Sequence, residues 1–280
     1  MKSIALLCLF LSILSASSQT NRTALLMGVG DYSKAPGMNS LPGIDQDLKL
    51  MGNKLTDLGF TVYYSQNPDL RTAKQSVDEF GKILRKNKGI GLFYFSGHGA
   101  EQEGGNYLIP GTANIQSGAD LAYEALSAQR VLNRMQESGS STNLVFLDCC
   151  RNEFSKSGNS GDLAPMKAEG VFIGFATADD TSAGASTSGS IYTSCLVNRL
   201  GTPGISISDM HTLVTRDVKK FAPKQNPFSY SGLDEIFYMN QKNQQKPEGR
   251  TEQLQPPLPD IPRQYYPENR IKQHQHLIKS

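Results

Sequence analysis

Cysteine and histidine are scarce in this chain, with four of each among 280 residues. The cysteines contain no CxxC pair, and two of the histidines, His274 and His276, fall in the last few residues. A zinc site, which needs three or four such ligands at short spacings, is therefore not expected. Cys8 lies in the apolar leader, which leaves Cys149, Cys150 and Cys195. Three cysteines with two adjacent are a poor basis for a disulfide framework, so at least one free thiol is expected even in an oxidising compartment. Blocks of like charge are also missing, and the formal net charge is only +2. Neither nucleic acid nor an anionic membrane is implied. No apolar run approaches the roughly 20 residues that a spanning helix requires.

The longest such run, Ile4 to Leu14, follows Lys2 and precedes Ser15, Ala16, Ser17 and Ser18. That order is the pattern of a secretory signal peptide, read here as residues 1–18, and it implies a secreted or periplasmic product. Cys8 is filler within it, because the small residues of a lipoprotein site do not precede it. At the other end, six of the fourteen prolines and many glutamines crowd into 241–280 with few large apolar side chains. Such a segment cannot bury enough surface to offset its ordering entropy and reads as a flexible tail.

Between these ends the chain alternates two patterns. Apolar runs without alternation occur at Thr23–Gly30, Ile90–Phe95, Asn143–Leu147 and Val171–Thr177, as expected of parallel strands covered on both faces. Phe60–Tyr64 adds a further strand, and Glu235–Met239 a last one. Amphipathic helices are predicted from Ile44, Leu48, Met51, Leu55 and Leu58, and from Leu70, Ala73, Val77, Phe80 and Leu84. Asn67 and Asp69 are available as caps, Gly59 and Gly89 as stops. Further helices carry Val131, Leu132 and Met135, span Tyr192–Leu200, and run from a cap at Ser208 through Met210, Leu213, Val214, Val218 and Phe221. His211 lies off that stripe and reads as a solvated histidine. The alternation defines a three-layer α/β domain with a mostly parallel sheet, here residues 19–240.

Two of the strands end in reactive residues: Tyr94-Phe95-Ser96-Gly97-His98-Gly99 and Leu147-Asp148-Cys149-Cys150-Arg151-Asn152. Parallel α/β sheets bind ligands at the carboxyl ends of their strands. If these two strands are neighbours, His98 and Cys150 form a catalytic dyad in which the imidazole takes the thiol proton and the thiolate is the nucleophile. The Gly99 and Cys150 N–H groups then offer an oxyanion hole. Gly28-Val29-Gly30 lacks the third glycine and the helix of a dinucleotide loop, and carries no weight.

These runs, together with Asn106-Tyr107-Leu108-Ile109-Pro110 and Gln225-Asn226-Pro227-Phe228, resemble the caspase-like cysteine peptidases, above all the bacterial caspase-domain proteins, paracaspases and metacaspases. The separation of 52 positions from His98 to Cys150 agrees with the caspase spacing of about 50. The resemblance covers about Thr23 to Met239. It implies a six-stranded caspase-like sheet, a large-subunit-like part at about 23–155 and a small-subunit-like part at about 168–240. It also implies Cys150 rather than Cys149 as nucleophile, with Cys149 packed inward.

In paracaspases and metacaspases an acid two residues before the nucleophile and another at the start of the first helix receive a substrate Arg or Lys. Carried over, these are Asp148 and Asp45, with Ser96 beside them. Animal caspases grip aspartate with arginines, and the matching loop here offers only Lys34. Cleavage after Arg or Lys is expected over cleavage after Asp, with peptides and proteins bearing basic residues as partners and a monomer or homodimer as the assembly. Asp179 and Asp180 lie near the place of a third pocket acid without clear register. Arg151, Lys156 and Lys167 stand where relatives are processed and are candidate self-cleavage sites. No cofactor is required; calcium dependence occurs in some metacaspases and stays open. The competing readings are a catalytically silent scaffold on the same fold, and a thiol-redox protein built on Cys149 and Cys150.

Overall fold

The computed structural model describes residues 20–151, 166, 168–176 and 188–240, with only the main chain at 150 and 151. The expected leader and tail, and with them Lys156, Lys167, Asp179 and Asp180, lie outside the described residues.

Six strands form the main sheet: β1 (Arg22–Gly28), β2 (Thr61–Gln66), β3 (Ile90–Gln102), β6 (Thr142–Arg151), β7 (Val171–Phe175) and β8 (Phe228–Ser231). Their spatial order is β2-β1-β3-β6-β7-β8. All pairings along it are parallel except β7 with β8. Two short strands, β4 (Gly105–Leu108) and β5 (Leu126–Ser127), extend the sheet from the far end of β3 by antiparallel pairing. The unalternating apolar runs become strands buried along their length, as in Leu92, Phe93, Tyr94 and Phe95 of β3.

The helices are α1 (Ile44–Asp57), α2 (Leu70–Asn87), α3 (Leu121–Glu124), α4 (Ala128–Glu137), α5 (Ile191–Arg199) and α6 (Ile207–Phe221). From β1 the chain steps to β2 on one side and then back to β3 on the other. Right-handed crossovers in opposite directions put α1 and α2 on opposite faces. Accordingly α1 packs with α5 and α5 with α6, while α2 packs with α4. The buried stripe of α1, Ile44, Asp47, Leu48, Met51 and Leu55, lies against this sheet and contains one acid. Asp69 caps α2 by accepting from the Thr72 N–H at 2.7 Å.

Three expectations are corrected. The last strand is Phe228–Ser231, not Glu235–Met239, where Tyr238 makes one isolated bridge with Ser206. β8 starts directly after Pro227 and is an edge strand, anchored by Phe228 stacked on Phe175 at 4.5 Å; two aromatics in four residues give little periodic signal. The cap of α6 is Ser206, whose hydroxyl accepts from the Asp209 N–H at 3.1 Å, because Ile207 already belongs to the buried face. His211 is buried rather than solvated, since the apolar stripe of α6 is wide enough to include positions 210 and 211 together.

Candidate active site

The strand order reverses at β1, so the crevice beyond the carboxyl ends of β1, β3 and β6 is where such a sheet binds ligands. β3 and β6 are paired in register from Ile90 with Thr142 to Gly99 with Arg151. Within that ladder Ser96 stands beside Asp148 and His98 beside Cys150. Neighbouring strands are separated by about 4.8 Å, so positions 98 and 150 lie side by side where β6 ends, short of the end of β3. Gly99 follows at the same edge, flanked by Arg151 and Leu108. Cys149 is buried, as expected for the residue preceding Cys150.

His98 is held at both its main chain and its ring. Its N–H donates to the Tyr32 hydroxyl at 2.8 Å, and that hydroxyl donates to the Ile109 carbonyl at 3.0 Å. The Tyr32 ring meets the imidazole edge-on, with centroids 4.4 Å apart. Nε2 lies 2.8 Å from the Asn39 carbonyl. A carbonyl only accepts, so Nε2 carries the proton and the neutral ring keeps its lone pair on Nδ1. Among the described residues Nδ1 is buried and has no hydrogen-bond partner. Burial lowers the His98 pKa below the usual imidazole value, opposed by the Asn39 carbonyl. The ring is thus held in its neutral form, with Nδ1 unpartnered among the described residues.

Tyr32 and Asn39 both come from the loop between β1 and α1. That loop is pinned by Asn67, whose Oδ1 accepts from the N–H groups of Gly30 and Asp31 at 2.8 and 3.0 Å, and by the Leu41 N–H on the Gly30 carbonyl at 2.8 Å.

Beside the dyad positions lies a buried acid pair, and it is not the pair expected. Asp45 is exposed on the first turn of α1, where its carboxylate accepts from Gln66 Nε2 at 2.7 Å. Asp47, two residues on, is buried and faces Asp148. The reason is helical: Asp45 is one residue past the buried Ile44, whereas Asp47 is three past it and shares its face. Ser96 donates to Asp47 Oδ2 at 3.0 Å, so the expected serine does sit with the acids. Ser190, the cap of α5, donates its N–H to Asp47 Oδ1 at 2.7 Å and its hydroxyl to Asp148 Oδ2. Thr193 donates to the same Asp148 oxygen at 2.5 Å. Burial pushes both acids up, and Asp47 is pushed further by the charge of Asp148. The α5 residues are braced from behind by Arg199, whose Nε donates to Asp217 Oδ2 of α6 at 2.5 Å in full burial.

Sequence reasoning did not find Asp47, Tyr32, Asn39, Ser190 or Thr193. The α1 periodicity could have found Asp47, an acid on an apolar stripe; the others depend on contacts between distant segments. Of the residues read as self-cleavage sites, Arg151 ends β6, and Lys156 and Lys167 are not described.

This topology, with a histidine and a cysteine paired at adjoining strand ends, is that of the caspase-like peptidases. The family model for the caspase domain matches residues 21–238, and the chain belongs to that family of cysteine peptidases. It is also similar to mucosa-associated lymphoid tissue lymphoma translocation protein 1 of Homo sapiens and to its Mus musculus homolog. Each is 31% identical over 160 residues, which cover 56% of this chain and 18% of the relative. The chain therefore matches less than a fifth of the length of these relatives.

Proposed function

We propose that the protein is an endopeptidase that cleaves after Arg or Lys with Cys150 as nucleophile and His98 as base. The observation that carries this reading is the ladder that sets position 98 beside position 150 and, two residues earlier, position 96 beside Asp148. His98 Nδ1 takes the thiol proton, the thiolate attacks the scissile carbonyl carbon, and the N–H groups of Gly99 and Cys150 receive the oxyanion. The imidazolium returns the proton to the leaving amine, and water then hydrolyses the acyl-enzyme. Asp47 and Asp148 receive the basic side chain before the cleaved bond through charge-assisted hydrogen bonds. Ser96 positions Asp47.

A panel of peptides with Arg, Lys or Asp before the cleaved bond tests this, run with the wild type and Cys150→Ala, with and without calcium. Turnover of the basic peptides by the wild type alone is expected. Turnover confined to the Asp peptide would remove the pocket assignment, and turnover of none would favour a silent scaffold. Self-processing at Arg151, Lys156 or Lys167 belongs to the same reading, and a Cys150→Ala chain clipped at the wild-type bond would rule it out. Export to the periplasm or medium rests on the leader at 1–18, and detection of a mature chain beginning near Gln19 outside the cytoplasm is its test.

A further inference from the structure

Asp47 and Asp148 face each other across a single serine, and among the described residues the donors around them are neutral. Ser190 gives its N–H to one and its hydroxyl to the other. The Ser96 hydroxyl is spent on Asp47 and the Thr193 hydroxyl on Asp148. Since the Thr193 proton is committed, the Tyr94 hydroxyl, 2.5 Å from Thr193 Oγ1, donates to it. The titratable groups facing the pair from other elements are Tyr94 of β3 and Tyr192 of α5, both buried phenols that contribute no positive charge. Among the described residues, no lysine, arginine or histidine is ion-paired with either acid.

The surrounding chain is shaped to this pair. Gly189 has φ +85°, and a Cβ there would stand 2.4 Å from Asp47 Oδ1, so the approach to α5 is moulded directly on the carboxylate. Two adjacent buried carboxylates without a cation cannot both ionise at ordinary cost, whereas either can carry a proton toward the other.

We propose that the free protein holds one proton shared between Asp47 and Asp148, and that entry of a substrate's basic side chain expels this proton to solvent. The inference rests on the reading that this pocket takes Arg or Lys. The balance is simple. The free pair carries one negative charge and the ligand one positive. In the complex two carboxylates face one cation, and the lost proton is in the bulk water. Binding of a basic ligand is consequently weakened by acid, up to tenfold per pH unit below the apparent pKa of the pair. A neutral isostere such as citrulline, which needs no second carboxylate charge, escapes this penalty.

The test is calorimetric titration of full-length Cys150→Ala with a peptide ending in Arg, in buffers of different ionisation enthalpy across the acidic to neutral range. Release approaching one proton per peptide in the acid part of the range is expected, and it persists when His98→Gln is added so that the imidazole contributes none. In parallel, the wild-type kcat/KM ratio of Arg to citrulline peptides is expected to rise with pH. Tight Arg binding with no proton release and a flat ratio would overturn the shared proton while leaving the basic pocket in place. Failure of the Arg peptide to bind, with an Asp peptide bound instead, would overturn both.

Discussion

His211 sets an acid limit on this fold that can be worked out from its surroundings. The ring is buried between α6 and the sheet, stacked on Phe146 with centroids 6.5 Å apart, edge-on to Phe172 at 5.8 Å, and pressed on the backbone of Gly174. Among the described residues the polar contact of the ring is Nε2 with the Tyr192 hydroxyl at 2.9 Å, and Tyr192 is the titratable group that faces it. Burial lowers its pKa from 6.5 to about 4. At 1.36 kcal/mol per pKa unit this corresponds to roughly 3 kcal/mol, a large share of a typical 5–15 kcal/mol stability. The unfolded chain binds the proton first as pH falls, so the stabilisation is fully present above 6.5 and is lost between 6.5 and about 4. Asp47 and Asp148 act in the opposite sense. Their raised pKa values favour folding below the ordinary carboxylate range and cost stability as pH rises through their folded values. Urea unfolding of the wild type and of His211→Gln at a series of pH values cancels the acids and isolates the histidine. The variant is the less stable of the two at neutral pH, and the gap is expected to narrow by roughly 3 kcal/mol toward pH 4. A constant gap would refute the reasoning.

Three other outcomes follow from particular contacts. Asp217→Ala leaves the buried Arg199 guanidinium without its carboxylate and is expected to cost roughly 3–5 kcal/mol in urea unfolding, because an uncompensated buried charge is expensive. The Cys195 thiol is buried and pushed up to about 12, so iodoacetamide should label it only after denaturation, as mapped by mass spectrometry. On Arg peptides, Asp47→Asn is expected to lower kcat/KM by about 10- to 100-fold, the value of a hydrogen bond to a charged group, with Asp45→Asn close to wild type. The reverse order would return the pocket to the exposed acid.

Much of the architecture was legible because its two periods differ. Buried parallel strands such as Leu144–Leu147 have no alternation, whereas α1 and α2 repeat at three and four residues. The failures have specific causes. The second half of β3, Ser96–Gln102, is polar and glycine-containing, yet it is a strand because β6 and β4 pair with it on either side. β8 offers only Phe228 and Tyr230, and its place is decided by Phe175 from another strand. His211 reads as solvated from a stripe centred toward Leu213, whereas Leu213 is only half-buried and the buried face is centred toward His211. Asp45 follows from the resemblance, which asks for an acid at the start of the first helix, whereas the apolar spacing of α1 puts Asp47 and not Asp45 on the buried face. Tyr32, Asn39 and Ser190 act across 66, 59 and 143 residues, distances over which no local pattern carries information.

One offset joins the two halves of the site. The ladder between β3 and β6 pairs residues 52 apart, and the same offset aligns Ser96 with Asp148 and His98 with Cys150. The pairing of Ser96 with Asp148 and that of positions 98 and 150 are therefore not independent placements, since a slip of one residue would separate both pairs together and turn the slipped strand's side chains to the opposite face. What prevents the slip is the burial of both strands on both faces: Phe93, Phe95, Phe146 and Leu147 have no solvated alternative. The connection from β3 to β6 contains β4, β5 and α4, and a change in its length would alter the number 52 but not which residues of the two strands face each other, because the ladder sets that pairing. The chemistry of this site thus depends on the hydrophobic register of two strands more directly than on any loop.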